Sequence, residues 1–293
     1  MSFAPTHCPN SLCQNHVNFG GSFIKKAFPR AKPLTKNQQS FQYKPDKRPF
    51  SPGPLNPSYR HKKMDLNSKL ADLLSRGSSI RDSARILGLT YRNAYLKFLW
   101  LAEQSRLKNS VIKYNAKVVQ FDEMETIHHT KCKPLTIALM VSENYELLEA
   151  QVAEIPAKGR LSQFSVKKYG KRLDKSHEAL SLCFGHLAQK LESSPIKMMS
   201  DAKPGYRKFV RKYFENTLYE THSRANKDRH RDRLHEKAER RVFDPMFAVN
   251  QKCAKLRASV RRLTRRSWCT TKKVENLQGH LEIFMAHQRG LWA

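Results

Sequence analysis

Acidic side chains are scarce in this sequence: 25 Asp and Glu stand against 55 Lys and Arg in 293 residues, for a formal charge of +30. Long apolar runs are missing too. The longest of note, Leu135 to Val141, is interrupted by Thr136 and is far too short to span a bilayer. The amino terminus, with Pro5, His7 and Cys8, lacks the charged start and apolar core of a secretory leader. The six cysteines (Cys8, Cys13, Cys132, Cys183, Cys253 and Cys269) are scattered, and four lie in apolar or amphipathic runs, so a reducing compartment is expected. No repeat of about 20–50 residues is visible. Membrane and secreted classes are excluded on this reading. Apolar residues at 39%, including 15 Phe, 10 Tyr and 3 Trp, are enough for a real core, which excludes disorder of the whole chain. A charge of +30 calls for nucleic acid, an anionic membrane or an acidic protein. The basic residues are interleaved with regular structure rather than strung in a tail, which favours nucleic acid.

The composition shifts along the chain. Residues 1–64 hold 9 of the 14 prolines and 11 basic residues against one acid, and Pro52-Gly53-Pro54-Leu55-Asn56-Pro57 reads as a linker. Cys8 and Cys13 lie within this basic arm, followed by His16. Two thiolates so spaced suit half of a tetrahedral zinc site, but no second cysteine pair follows; the nearby candidates are His7, His16, Asp46 and His61. The pair reads either as such a half-site or as two reduced thiols on a loose arm.

Residues 65–108 carry a helical pattern. Leu70, Leu73 and Leu74 share a face, Ser79 with Asp82 three residues on forms an N-cap signal, and Gly88 permits a turn before a second cap at Thr90. The following helix is expected to expose Arg92, Asn93 and Lys97 and to bury Ala94, Leu96 or Tyr95, and Leu99. Polar side chains at the start of the last helix suit a helix-turn-helix reader of the major groove; a plain packing module gives the same pattern. On the first reading, a fragment of residues 60–110 is expected to bind DNA with sequence preference.

From residue 113 to 293 the pattern turns to mixed α/β. Strands are expected at Val118–Glu125, Leu135–Val141 and Glu146–Ile155, with short connections. A helix over Ser176–Leu191 carries Leu180, Cys183, Phe184, Leu187 and Leu191 on one face, and a strand at Pro195–Asp201 follows. A basic helix at Gly205–Phe214 and a short strand at Thr217–His222 complete an order βββαβαβ, then a helix: that of the RNase H-like fold. In such a sheet the first strand and the strand after the first helix are neighbours. Asp122 and Asp201 would then flank one or two hard cations, as two-metal phosphoryl transfer requires. Val249, Cys253, Leu256, Val260 and Leu263 form an apolar stripe on the last helix read, with Lys252, Lys255, Arg257, Arg261, Arg262, Arg265 and Arg266 around the remainder, placed to neutralise phosphates.

Three stretches together resemble the DDE-type transposases of small bacterial insertion sequences. Phe121-Asp122-Glu123-Met124-Glu125 is similar to that family's Asp-Glu-x-Trp, and Asp201 to Tyr206 to its Asp-Gly-x-x-x-Tyr. Asn250 to Lys273, with Leu256-Arg257 and Ser267, is similar to its C-terminal helix and basic ending, and the cysteine pair before a helix-turn-helix is similar as well. The resemblance implies an RNase H-like catalytic domain preceded by a helix-turn-helix module and a zinc-ribbon-like arm. Tyr43 and Asp46 stand where the second cysteine pair would fall, so the ribbon is degenerate. The family's third acid lies seven residues before the Leu-Arg arginine, which here is Asn250. The implied ligands of Mg²⁺ or Mn²⁺ are therefore Asp122, Asp201 and Asn250, with Asp244 and Glu239 in reserve upstream; Zn²⁺ would belong to Cys8 and Cys13. The implied function is a transposase that binds element ends, cleaves DNA and transfers strands. Its partners would be duplex DNA at ends and target, with a second copy of itself on that DNA, and no membrane, in a bacterial cytoplasm at the nucleoid. The alternative is a DNA-binding derivative of the same fold that no longer cuts.

Overall fold

The computed structural model describes residues 62–222, 244–265 and 268–292, together with the backbone of three strands nearer the amino terminus. Those strands, β1 (Phe23–Lys26), β2 (Ser40–Tyr43) and β3 (Pro49–Phe50), form a small antiparallel sheet in the order β1-β2-β3 within a unit spanning residues 1–64. Cys8, Cys13, His7, His16, Asp46 and His61, and with them the zinc expectation, lie outside the described residues.

The second unit, residues 65–293, opens with α1 (Leu66–Ser75), α2 (Ile80–Ile86) and α3 (Tyr91–Ser110). Both expected caps form: Ser79 Oγ accepts from the Asp82 N–H at 3.1 Å and Thr90 Oγ1 from the Asn93 N–H at 3.3 Å. Gly88, at φ +61°, makes the turn between them. Leu70, Leu74, Ile80, Ala84, Ala94, Phe98 and Leu101 pack together as one core, which Ile283 from the end of the chain completes. Ala94 is buried as expected and Tyr95 packs partly buried on the core, but the line continues through Phe98, Leu101 and Ser105 in place of Leu99. Leu99 is consequently exposed, and so is Leu96. Lys97, expected on the open face, is buried and donates to Asn67 Oδ1 of α1 at 2.7 Å.

The sheet consists of β4 (Val118–His128), β5 (Thr130–Ser142), β6 (Leu147–Glu154), β7 (Lys197–Ser200) and β8 (Leu218–Thr221) in the order β6-β5-β4-β7-β8. β4, β5 and β6 form an antiparallel meander, while β7 pairs parallel with both β4 and β8. This mixed five-stranded sheet is consistent with an RNase H-like core. Alternation along the strands feeds two layers. Val119, Phe121, Ala138 and Met140 pack under α5 (Ser176–Lys190) and α6 (Tyr206–Tyr213). Met124, Leu135, Ile137, Leu139 and Val141 pack under α7 (Phe247–Ser259) and α8 (Val274–Gln288). A further helix, α4 (Leu161–Tyr169), connects β6 to α5.

The elements expected from 118 to 222 appear in the expected sequence, with ends moved by a few residues, but α4 is inserted between β6 and α5. Neither α4 nor α8 was foreseen. The apolar stripe Val249–Leu263 is buried throughout, yet the helix carrying it ends at Ser259; Val260 turns extended and a short 3₁₀ turn covers Arg261–Leu263. No described helix is long and apolar enough to cross a membrane.

Candidate metal centre and nucleic-acid face

The parallel pairing of β4 with β7 sets the geometry. Gln120 is level with Met199, the last pair of this ladder, and the same register continued two residues would bring Asp122 level with Asp201, the first residue past β7. Gln120, Asp122 and Met124 alternate onto the α7 side of the sheet. Gln120 makes this side specific. Its Nε2 donates to the Pro245 carbonyl at 2.8 Å and its Oε1 accepts from the Val249 N–H at 3.1 Å, so one buried side chain fastens the start of α7 two residues from Asp122. Nothing in the sequence pattern singled Gln120 out, because a lone polar residue on a strand reads as an outward-facing one.

Asn250 follows Val249 directly. Its Nδ2 donates to Asp244 Oδ2 at 2.9 Å, and Asp244 Oδ1 accepts the Met246 N–H at 3.0 Å. A carboxylate only accepts, so this bond fixes the amide with its carbonyl oxygen turned away from Asp244. Asp244 thus orients Asn250 at the head of α7; Glu239 lies outside the described residues. Arg257, two turns below Asn250 on the same face, is half-buried, and burial with the neighbouring Arg265 holds its pKa down, while the charge of Asp122 acts to raise it. The α7 line of Asn250 and Arg257 therefore lies on the Asp122 side.

The opposite side of β4 holds the site together. Glu123 accepts hydrogen bonds from Tyr206 Oη at 2.9 Å and Thr136 Oγ1 at 3.3 Å, and pairs with the Lys203 ammonium. These contacts clamp the turn between Asp201 and Tyr206 against β4. Burial, and then the negative charges of Glu123, Asp122 and Asp201, push the Tyr206 hydroxyl far above its usual pKa, so it remains a donor. The Lys203 N–H also donates to Asp201 Oδ1 at 3.3 Å, and the Glu123 N–H to Asp122 Oδ1 at 2.7 Å. The Asp201-to-Tyr206 spacing carried this clamp in the sequence, although Lys203 within it was not singled out.

Among the described residues, no group of three or more His, Cys, Asp and Glu gathers to hold a metal. The donors expected from the sequence are two aspartates, Asp122 and Asp201, and the amide oxygen of Asn250. All are oxygens, the ligands Mg²⁺ prefers when it retains several waters, so the residues fit such an ion.

The basic residues divide. Arg92 and Asn93 at the head of α3, and Arg261 and Arg265 after α7, are exposed. Lys97 is buried, as above. Arg262, expected among the phosphate contacts, donates to the Thr270 carbonyl at 3.0 Å, and burial lowers its pKa. Lys252 is 3% exposed with its pKa pressed down to about 8 by burial, then by Lys255. Both are corrections: the face left over by a five-residue apolar stripe is solvent only if nothing covers it, and here Gln288 of α8 meets Lys252 at 3.4 Å while the segment carrying Thr270 meets Arg262. Arg266 lies outside the described residues.

No family model matches the sequence, and no curated protein does. Solved structures do. The HTLV-2 integrase catalytic core domain in complex with magnesium is 13% identical, covers 58% of this chain and 97% of its own, and superposes with a TM-score of 0.20. A simian T-cell lymphotropic virus intasome in complex with PP2A regulatory subunit B56 gamma is 12% identical, covers 73% of this chain and 72% of its own, with a TM-score of 0.22. Superposition this loose carries no residue across.

Proposed function

We propose that this chain is a DDE-type transposase, an Asp-Asp-Asn enzyme that binds the ends of an insertion element as duplex DNA and catalyses divalent-metal-dependent strand cleavage and transfer. The observation that carries the reading is the parallel pairing of β4 with β7, whose register, continued by two residues, would bring Asp122 level with Asp201, with the start of α7 fastened to β4 by Gln120. A bound Mg²⁺ or Mn²⁺ would supply charge neutralisation at the scissile phosphate and an activated water or 3′-hydroxyl. Asp122 and Asp201 would contribute its anionic oxygens and Asn250 a neutral one. Glu123, Lys203 and Tyr206 would keep Asp201 in place, while exposed Arg92, Asn93, Arg261 and Arg265 meet DNA. Such an enzyme would act as an oligomer bridging two ends, in a bacterial cytoplasm.

The test is nicking and strand transfer by the full chain on its own element ends in Mg²⁺ or Mn²⁺. Asp122→Asn and Asp201→Asn are each expected to lower the rate by at least about a thousandfold while DNA affinity holds, because a neutral amide cannot replace the anionic ligand. Asn250→Ala is expected to cut activity severely, and Asn250→Asp to retain part of it. The second reading, a DNA-binding derivative that no longer cuts, has one observation in its favour: an amide stands where a third carboxylate is expected. It prevails if the wild-type chain is inactive in both metals and Asn250→Glu is active.

A further inference from the structure

Of the nine residues of α4, Ser165 alone is buried; its hydroxyl donates to the Cys132 carbonyl at 2.6 Å. The rest of the helix faces outward with an unusual load. Phe164 is 53% exposed, Val166 51% and Tyr169 37%. The Lys168 ammonium lies between the two rings, 5.8 Å from the centre of Phe164 and 5.5 Å from that of Tyr169, and Lys133 lies 4.4 Å from the centre of Tyr169. No described ion pair engages Lys133, Lys167 or Lys168. The acid-bound lysine nearby is Lys158, at the foot of the helix, paired with Glu125 at 2.7 Å. Glu125 is three residues beyond Asp122 on β4, about 10 Å along the strand and on the opposite face of the sheet.

We propose that the outer face of α4 is a docking surface for unpaired nucleotides of a DNA strand, whose bases stack on Phe164 and Tyr169 and whose phosphates lie against Lys133, Lys167 and Lys168. The charge selects a polyanion and argues against a second copy of this chain, itself at +30. The rings select a polyanion with open aromatic faces. A duplex hides its bases in the stack, whereas a single strand offers a π-face at each nucleotide. An anionic bilayer wants apolar and basic residues segregated on opposite helix faces. Here the exposed residues Leu161, Phe164, Val166, Lys167, Lys168 and Tyr169 interleave them along the helix, with the Lys168 ammonium 5.8 and 5.5 Å from the two ring centres, which matches alternating phosphate and base. The proposal rests on the reading of the chain as a DNA-binding protein, and on none of the chemistry at Asp122 and Asp201.

The experiment is fluorescence anisotropy with the full chain in EDTA, using labelled oligodeoxythymidine of about 20 nucleotides and a duplex of equal length, at about 0.15 M salt. Phe164→Ala/Tyr169→Ala is expected to weaken oligodeoxythymidine binding by about tenfold or more, with duplex binding changed by less than about twofold. Phe164→Tyr/Tyr169→Phe, which keeps both π-faces, is expected to bind as the wild type does. Equal losses on both DNAs, or no loss on either, overturn the proposal. So does a double-Ala variant that loses phosphatidylserine vesicles or polyglutamate while keeping oligodeoxythymidine. Because EDTA blocks cleavage, ring-dependent binding together with an inactive centre would sink the enzyme reading and leave this one standing.

Discussion

His280 is enclosed in α8 against the ring of Phe98, with centroids 4.6 Å apart, and its Nε2 has no hydrogen-bond partner among the described residues. Burial, reinforced by the charge of Arg262, lowers its pKa from 6.5 to about 3. A histidine depressed in the fold stays neutral there while the unfolded chain takes up a proton, so its stabilising contribution is complete above pH 6.5 and is lost as pH falls toward 3. Between pH 7 and 5 the loss amounts to about 2 kcal/mol. His186 works in the opposite direction, since the Glu149 carboxylate 3.8 Å from its ring raises its pKa, and the comparison must therefore be differential. The denaturant midpoint of wild type is expected to fall more steeply over this window than that of His280→Gln, and parallel curves would refute the assignment. Single residues of this kind were the least legible part of the sequence. His280, Lys252 and Arg262 look like surface residues by type, and what makes them interior is a helix far off in the chain or not recognised as one.

That helix, α8, shows how elements become visible or stay hidden. From Asn276 to Ala286 every residue but Gln278 is buried, so no amphipathic stripe exists to be read. Its polar members find partners inside: Glu282 accepts from Asn109 Nδ2 at 2.7 Å and from Gln278 Nε2 at 3.0 Å. The strands were legible for the converse reason, since β-branched runs with short turns follow from local pattern alone, and the parallel pairing of β4 with β7 followed from order. Asn250 was nominated only through its spacing from Arg257, and Gln120 not at all, because its partners lie about 125 residues away. The seam between α8 and α3 carries its own prediction. A Cβ at Gly279 would stand 2.8 Å from Ala102 Cβ and 3.2 Å from the Phe98 ring. Gly279→Ala should therefore push the helices apart and destabilise by about 1–2 kcal/mol, the overpacking cost less the gain in helix propensity. Ala102→Gly in the same chain should relieve the overlap. A double-mutant cycle on thermal stability reads the coupling, and strictly additive effects would show that the seam yields freely.

At the scale of the molecule, the question is whether the helices α1 to α3 are a separable reader of DNA, as residues 60–110 alone suggested. Their core is not self-sufficient. Ile283 closes it, Phe98 packs on His280, the Trp292 indole N–H donates to Ser105 Oγ at 2.8 Å, and the Lys108 ammonium reaches the Leu291 carbonyl at 2.6 Å. The contacts that bury α3 thus come from the last twenty residues, while α1 and α2 are too short to persist in water without tertiary packing. An excised fragment 60–110 would expose the Phe98 and Ala102 side of α3. It is expected to show little helix by far-UV circular dichroism and to bind duplexes without sequence preference. Residues 62–293, which retain α8, are expected to keep the helix content and any preference that the full chain shows. Removing only 274–293 from that longer piece should melt α1 to α3 together with the α7 layer, since α8 lies between them, and should appear as one cooperative loss rather than two. A fragment 60–110 that folds and discriminates between sequences would show instead that α8 merely rests on a finished module.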